Sequence, residues 1–294
     1  MNGVFIVGCG GLGKKVAALW LERGERVGAL VRSPAHAEEL KWLGVDAVMG
    51  DLDLPDSLQD LSLNEKLVYY FAPPPSTGLE DSRMKAFCSA VLAHQKPERL
   101  VYVSTSGVYG NRNGAWVDES ASLDPATERA FRRVSAEQTL RTWEKENDGT
   151  VIVLRVPGIY GPGRLPLDRI RKGVPVIAEN ESPVSNRIHI DDLAQICLAA
   201  GQRGQGGEIF NVADCSDASM TDYFNAVADV FGLPRPPQIS LKQAENVLSP
   251  EMLSYLRESR RLDTTRLHRK LQVSLRYPDL LSGLKACRTR STSS

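Results

Sequence analysis

Long hydrophobic runs, paired cysteines, clustered histidines and an excess of either charge are all missing from this sequence. Each absence removes a class of function. No apolar stretch approaches the roughly 18 to 20 residues that a membrane-spanning helix requires, so no membrane partner is expected. Lys plus Arg and Asp plus Glu stand at 36 each. Zero net charge argues against a general polyanion binder, and no nucleic acid is expected as a partner. The cysteines (Cys9, Cys88, Cys197, Cys215, Cys287) are scattered without a C-x-x-C pair, the pattern of reduced thiols in a cytoplasmic protein. The four histidines show no ligand spacing, so no metal site is expected. With a strand expected from Val4, no signal peptide is expected ahead of it.

What is present starts almost at once. Val4 to Val7 is a short apolar run, followed immediately by Gly8-Cys9-Gly10-Gly11-Leu12-Gly13. An amphipathic helix is expected from Leu12 to Glu22, with Leu12, Val16, Leu19 and Trp20 on one face. Strand, glycine turn and helix together form the dinucleotide fingerprint G-x-G-x-x-G, read at Gly8, Gly10 and Gly13, with Cys9, Gly11 and Leu12 completing the loop. Gly8 permits the tight turn, Gly10 admits a pyrophosphate to the backbone, and Gly13 allows close helix–sheet packing. The helix N-terminus turns unpaired N–H groups and a positive dipole end toward the phosphates.

A second strand, Arg26 to Val31, ends at Arg32, where a ribose-reading residue belongs. Arginine there suits the 2′-phosphate of NADP, whereas an acidic residue would bond the 2′-hydroxyl of NAD. Arg32 followed by Ser33 therefore favours NADP over NAD, the alternative being a solvated charge at a strand end. Further strands are expected at 45–49, 66–71, 99–103, 150–156 and 208–212. Helices are expected at 34–43, near Pro55, and at 79–94, 127–147, 166–173 and 220–231. Another runs to about Gln202, capped by Asp191 or Asp192. Ala72-Pro73-Pro74-Pro75 takes the chain out of the sheet, since proline cannot continue a ladder. Alternating strands and helices imply an α/β fold, a Rossmann doubly wound parallel sheet, with a small C-terminal α/β substrate lobe. The expected division is a core at 1–165, a mixed remainder of sheet and lobe at 166–287, and a disordered tail at 288–294.

The chain resembles the extended short-chain dehydrogenases/reductases of the NAD(P)-dependent epimerase/dehydratase family, and among its branches the YeeZ-like proteins. The likeness rests on residues 8–13, Gly50-Asp51-Leu52, the segment 103–110 around Ser104-Thr105-Ser106-Gly107-Val108-Tyr109, the segment 155–163 around Pro157-Gly158-Ile159-Tyr160, and Asn186 to Leu193. It extends to a closing helix and Tyr-Pro segment within 267–284. The resemblance implies that Asp51 and Leu52 meet the adenine and that Phe71, Ala72 and Pro73 pass under the cofactor. By the same resemblance Ser104, Pro157, Gly158 and Ile159 contact the cofactor, and Arg187 pairs with a substrate phosphate. The competing reading of Arg187 is a salt bridge to Asp191 or Asp192. His189, on a mainly apolar strand, reads as structural.

The family's reactive centre combines a Ser/Thr, a Tyr and a Lys. The Ser/Thr maps to Thr105, whose hydroxyl both donates and accepts; the competing reading is that Ser104, Thr105 and Ser106 satisfy loop backbone groups. The Tyr-x-x-x-Lys pair maps to Arg129 and Arg133, with Glu137 one turn on. Arg133 retains donors for a ribose, or else forms a surface ion pair with Glu137. Arg129 cannot transfer a proton near neutrality and is assigned to the substrate side. Tyr109 and Tyr160 are the candidates for a relocated acid, Tyr109 in the catalytic set and Tyr160 with the substrate. Two functions follow. One is an oxidoreductase or epimerase/dehydratase-like enzyme using NADP or NAD on a small or sugar-like carbonyl or alcohol. The other is a non-catalytic NADP-binding sensor or scaffold. A homodimer is left open.

Overall fold

The first strand, β1 (Val4–Val7), sends Val4 and Ile6 into one apolar cluster and Phe5 and Val7 into another. Side chains alternate along a strand, so a run of four apolar residues means that both faces of the sheet are covered. The structure is a computed structural model that describes residues 2–93 and 95–291. After β1 come α1 (Gly11–Leu21), β2 (Val27–Val31), α2 (Pro34–Trp42), β3 (Asp46–Met49), β4 (Leu67–Tyr70), α3 (Ser82–Phe87) and β5 (Arg99–Thr105). The middle of the chain holds β6 (Trp116–Val117), α4 (Glu128–Asn147), β7 (Val151–Val156), β8 (Gly158–Tyr160), α5 (Leu167–Arg171), β9 (Val176–Ile177), β10 (Arg187–His189) and α6 (Ile190–Arg203). It closes with β11 (Ile209–Asn211), α7 (Met220–Phe231), β12 (Gln238–Ile239), α8 (Leu241–Val247), α9 (Pro250–Leu256), β13 (Arg261–Leu262), α10 (Thr265–Leu271) and α11 (Leu280–Ser291).

The main sheet has the order β3-β2-β1-β4-β5-β7-β11, and every pairing in it is parallel. Strand order reverses between β1 and β4, and ligands of such sheets bind beyond the strand ends at that switch point. One face is covered by α1, α6 and α10 and the other by α3 and α4. Tyr69 ties the first face together, since its hydroxyl accepts from Trp20 Nε1 at 3.0 Å and donates to the Cys197 carbonyl at 3.1 Å. A separate apolar cluster joins Tyr160 and Ile170 to Tyr223, Phe224, Val227, Leu280 and Leu284. This lobe is built from α5, α7 and α11, with β8 paired to β10 and β9 to β12. Among the described residues, no helix is long and apolar enough to cross a membrane.

Several boundaries differ from the sequence reading for local reasons. The helix expected at 79–94 begins at Ser82, because Asp81 Oδ1 accepts from the Met84 amide at 3.0 Å and caps it. It ends in a π-turn at Cys88–Leu92, and His94 lies outside the described residues. The helix near Pro55 is a single 3-10 turn, Pro55–Leu58. The cap of α6 is His189, not Asp191 or Asp192: its Nδ1 accepts from the Asp191 amide at 3.2 Å. The tail expected to be disordered from 288 is helical through Ser291, and Arg288 Nη1 donates to the Val230 carbonyl at 2.7 Å. Residues 292–294 lie outside the described residues.

Gly8 sits at φ +94°, and a Cβ there would lie 2.5 Å from the Ala72 amide nitrogen. That approach brings the ends of β1 and β4 together at the switch point. Gly8→Ala therefore combines left-handed strain with a backbone clash and is expected to lower unfolding free energy by about 2–3 kcal/mol. A urea melt checks this, and an unchanged midpoint contradicts it.

Candidate active site

The glycine turn has the geometry its sequence implies. A Cβ on Gly13 would meet the Gly8 carbonyl at 2.9 Å and Ile6 Cγ2 at 3.3 Å, so α1 packs this close to β1 only with glycine there. Nothing lies within 4 Å of a Cβ placed on Gly10, leaving its backbone open to an incoming group. Cys9 and Leu12 are buried beneath the turn, and burial pushes the Cys9 thiol up to about 11. Both side chains belong to the apolar core beneath the sheet. The open cradle and the switch-point position fit the pyrophosphate of a dinucleotide. Above Gly11 stands Arg164, whose guanidinium would lie 3.0 Å from a Cβ there.

Arg32 and Ser33 are exposed at the end of β2, and Ser33 Oγ caps α2 by accepting from the His36 amide at 3.4 Å. Asp51 Oδ1 accepts from the Asp53 amide at 3.0 Å, holding the loop after β3. Leu52 is buried in the core. Asp53 makes a bidentate pair with Arg83, at 2.7 and 2.6 Å, and this bond, with Arg32 adding to it, holds the Asp53 carboxyl below its ordinary range. Arg83 also donates to the Pro73 carbonyl at 3.1 Å, so it fastens the proline segment after β4 to the loop after β3. Phe71 is half-buried, Ala72 buried and Pro73 exposed along this rim.

Next to the turn opens a cavity of about 570 Å³, to which Arg164 also belongs. Its walls bring together Thr105, Arg129, Arg133, Pro157, Gly158, Ile159 and Arg187. Thr105 Oγ1 accepts from the Gly107 amide at 3.2 Å, which leaves its hydroxyl hydrogen available to a ligand oxygen. Thr105 thus caps the turn and also lines the cavity. Arg187 is buried with its guanidinium 3.6 Å from the Tyr223 ring centre, and burial lowers its pKa. Its Nη2 reaches only Ser185 Oγ at 3.3 Å and Met220 Sδ at 3.0 Å, and its Nε has no hydrogen-bond partner. The salt bridge to Asp191 or Asp192 does not form. Asp191 pairs with Lys15 at 2.7 Å, and Asp192 accepts from the Arg276 and Tyr277 amides.

Three sequence assignments are corrected. Tyr109 is withdrawn from the cavity: it is fully buried, donates to Asn211 Oδ1 at 2.7 Å and accepts from Arg155 Nη1 at 2.9 Å. Tyr160 is fully buried in the lobe, edge-on to His189 and Tyr223, and does not line the cavity. Burial raises its phenol pKa, which disfavours proton release. Ser104 also turns inward, donating to Glu137 Oε1 at 2.6 Å. Glu137 in turn pairs with Arg155 at 2.8 Å, both buried, and not with Arg133. Arg133 instead donates to the Tyr102 hydroxyl at 3.1 Å and the Val103 carbonyl at 3.2 Å. Burial pushes the Tyr102 phenol up to about 12, with Arg133 pulling the other way.

The lobe adds cavity residues that carried no sequence signal: Tyr223, Met252, Tyr255, Glu258 and Arg260. Arg129 Nη1 donates to Ser254 Oγ at 2.9 Å, and its guanidinium lies 3.9 Å from the Tyr255 ring centre. Glu258 pairs with Arg260 at 2.7 Å, and Arg260 also donates to the Gly110 carbonyl. Among the described residues, no group of three or more His, Cys, Asp or Glu is placed to hold a metal.

Glu137→Gln leaves Arg155 buried without its counter-charge. Breaking one partner of a buried pair costs about 3–5 kcal/mol. Urea unfolding of the variant checks this, and a loss near zero contradicts it.

A model of the NAD dependent epimerase/dehydratase family matches residues 4–213. The chain is 27% identical to Protein YeeZ of Escherichia coli (strain K12) over 292 residues, covering 96% of this chain and 98% of that one. It is similar to a functionally unknown conserved protein from Silicibacter pomeroyi DSS, with a TM-score of 0.85 and 29% identity over 99% of both chains. Its fold also matches that of UDP-glucuronic acid 4-epimerase from Bacillus cereus in complex with NAD. There the TM-score is 0.76 at 18% identity, over 99% of this chain and 98% of the epimerase. With a parallel sheet, a glycine turn at its switch point and a family match over more than two thirds of its length, this chain belongs to the NAD dependent epimerase/dehydratase family.

Proposed function

We propose that this protein is an NAD(P)-dependent oxidoreductase or epimerase/dehydratase-like enzyme acting on a small or sugar-like carbonyl or alcohol. The observation that carries the reading is adjacency: Arg164 spans from the glycine turn at Gly11 to the wall of the cavity holding Thr105. Gly10 and Gly11 would hold the pyrophosphate of a dinucleotide along that path, and Pro157, Gly158 and Ile159 would hold its nicotinamide. When bound, the nicotinamide supplies hydride exchange.

The chain's own residues bind and orient. Thr105 donates its hydroxyl hydrogen to the substrate oxygen while the Gly107 amide fixes its rotamer. Arg187, buried with only neutral hydrogen-bond partners, pairs with an anionic group of the substrate, a bidentate role suited to a guanidinium. Arg32 reads the 2′-phosphate, giving NADP preference over NAD. A second reading, a non-catalytic NADP-binding sensor or scaffold, is favoured by one observation. The resemblance maps Arg129 to the position of the family's proton-transferring tyrosine, and neither Tyr109 nor Tyr160 lines the cavity.

Titration with both cofactors is expected to show NADP binding about tenfold more tightly than NAD, with the preference lost in Arg32→Asp. Equal wild-type affinities contradict the NADP assignment. With NADPH and a panel of aldehydes, ketones and nucleotide sugars, Thr105→Ala is expected to lower kcat/KM about 100-fold. Cofactor binding without turnover across the panel supports the non-catalytic reading instead.

A further inference from the structure

Arg129 and Arg133 lie one helical turn apart on α4, and both line the cavity. Their hydrogen-bond partners are neutral: a serine hydroxyl for Arg129, a phenol and a backbone carbonyl for Arg133. Like charges at this spacing repel, and here they stand near the positive end of a 20-residue helix. Glu137, one turn further on, gives no relief because Arg155 holds it. Glu258, a carboxylate that does line the cavity, is paired with Arg260, and Arg129 adds to the forces lowering the Arg260 pKa after burial itself. Asp81 is felt by Arg133 electrostatically but makes no ion pair with it. Among the described residues, two half-buried guanidinium groups therefore face one space without a counter-ion, an arrangement that an anion completes.

We propose that Arg129 and Arg133 form a subsite for an oxyanion of the substrate, a carboxylate or phosphate group, beside Thr105. Arg187, carried by β10, lines the same cavity but shares no hydrogen-bond partner with either arginine. The flat fork of a guanidinium matches a group with two acceptor oxygens, and two such forks hold it in a fixed orientation. The substrate is then acidic at the end that faces Thr105, and the anion is held by charge with no proton transferred by either arginine. This inference rests on reading the cavity as the substrate site.

The test is calorimetric titration of the full chain with inorganic phosphate and, separately, with malonate, in wild type, Arg129→Gln, Arg129→Lys and Arg187→Gln. NADP is titrated in parallel. Arg129→Gln is expected to weaken one or both anions about tenfold or more while keeping wild-type NADP affinity, and Arg129→Lys to recover part of the loss. Stronger malonate binding assigns a carboxylate and stronger phosphate binding a phosphate. Protection of Arg129 from phenylglyoxal by the tighter anion, read by mass spectrometry on wild type, gives the same answer without a variant. Anion binding unchanged in Arg129→Gln, or absent in wild type together with no protection of Arg129, overturns the proposal. Arg129-dependent anion binding without any NADP binding would instead remove the cofactor reading and leave the subsite standing.

Discussion

The buried pair of Glu137 and Arg155 is the constraint on which the rest of the site depends. Glu137 comes from α4, Arg155 from β7, and Ser104 of β5 donates to the same carboxylate. Arg155 continues the chain of bonds to the Tyr109 hydroxyl, which reaches Asn211 on β11. One hydrogen-bonded group thus fixes three adjacent strands and the long helix relative to one another. The cavity's principal walls are the residues immediately beyond these anchors: Thr105 after Ser104, Arg129 and Arg133 on the turns before Glu137, and Pro157 two residues after Arg155. A buried ion pair contributes little net stability by itself, but it discriminates strongly against arrangements that separate its partners.

Much of the framework was legible because its signals are local. The glycine turn, the four-residue apolar strand and the proline exit at Ala72 each state their own geometry. The box in which the Ser219 hydroxyl and the Asp222 carboxylate start α7 is also local, but the structure rather than the sequence reading identified it. What failed was partner choice at a distance. Spacing put Glu137 beside Arg133, yet the two project from α4 to different surroundings. The signal that could have corrected this lay in β7, where Arg155 interrupts the apolar run Val151-Ile152-Val153-Leu154. A charge inside a fully buried strand requires a carboxylate, and Glu137 is the one that α4 presents to it. Tyr109 was misplaced for the same reason, since its partner Asn211 is 102 residues away in sequence.

The lobe's contribution had no comparable signal. Met252 and Tyr255 of the short helix α9, and Glu258 and Arg260 of the loop after it, match no motif and meet the cavity only through tertiary packing. Their effect is to close a strongly cationic space in which, among the described residues, the single carboxylate is already committed to Arg260. The family framework supplies the cofactor cradle, whereas the arginines of this chain set what the cavity can hold. Arg129 joins the two themes. By the resemblance it falls where proton transfer is expected of a tyrosine, and in the proposed reading it supplies fixed positive charge instead.

The most direct measurement of the central claim is a crystal structure of this protein with NADP bound. The account predicts the pyrophosphate on Gly10 and Gly11 beneath Arg164, and the nicotinamide C4 facing the space between Thr105 and Arg129. A nicotinamide directed away from that cavity, or a pyrophosphate that does not touch the glycine turn, would contradict it.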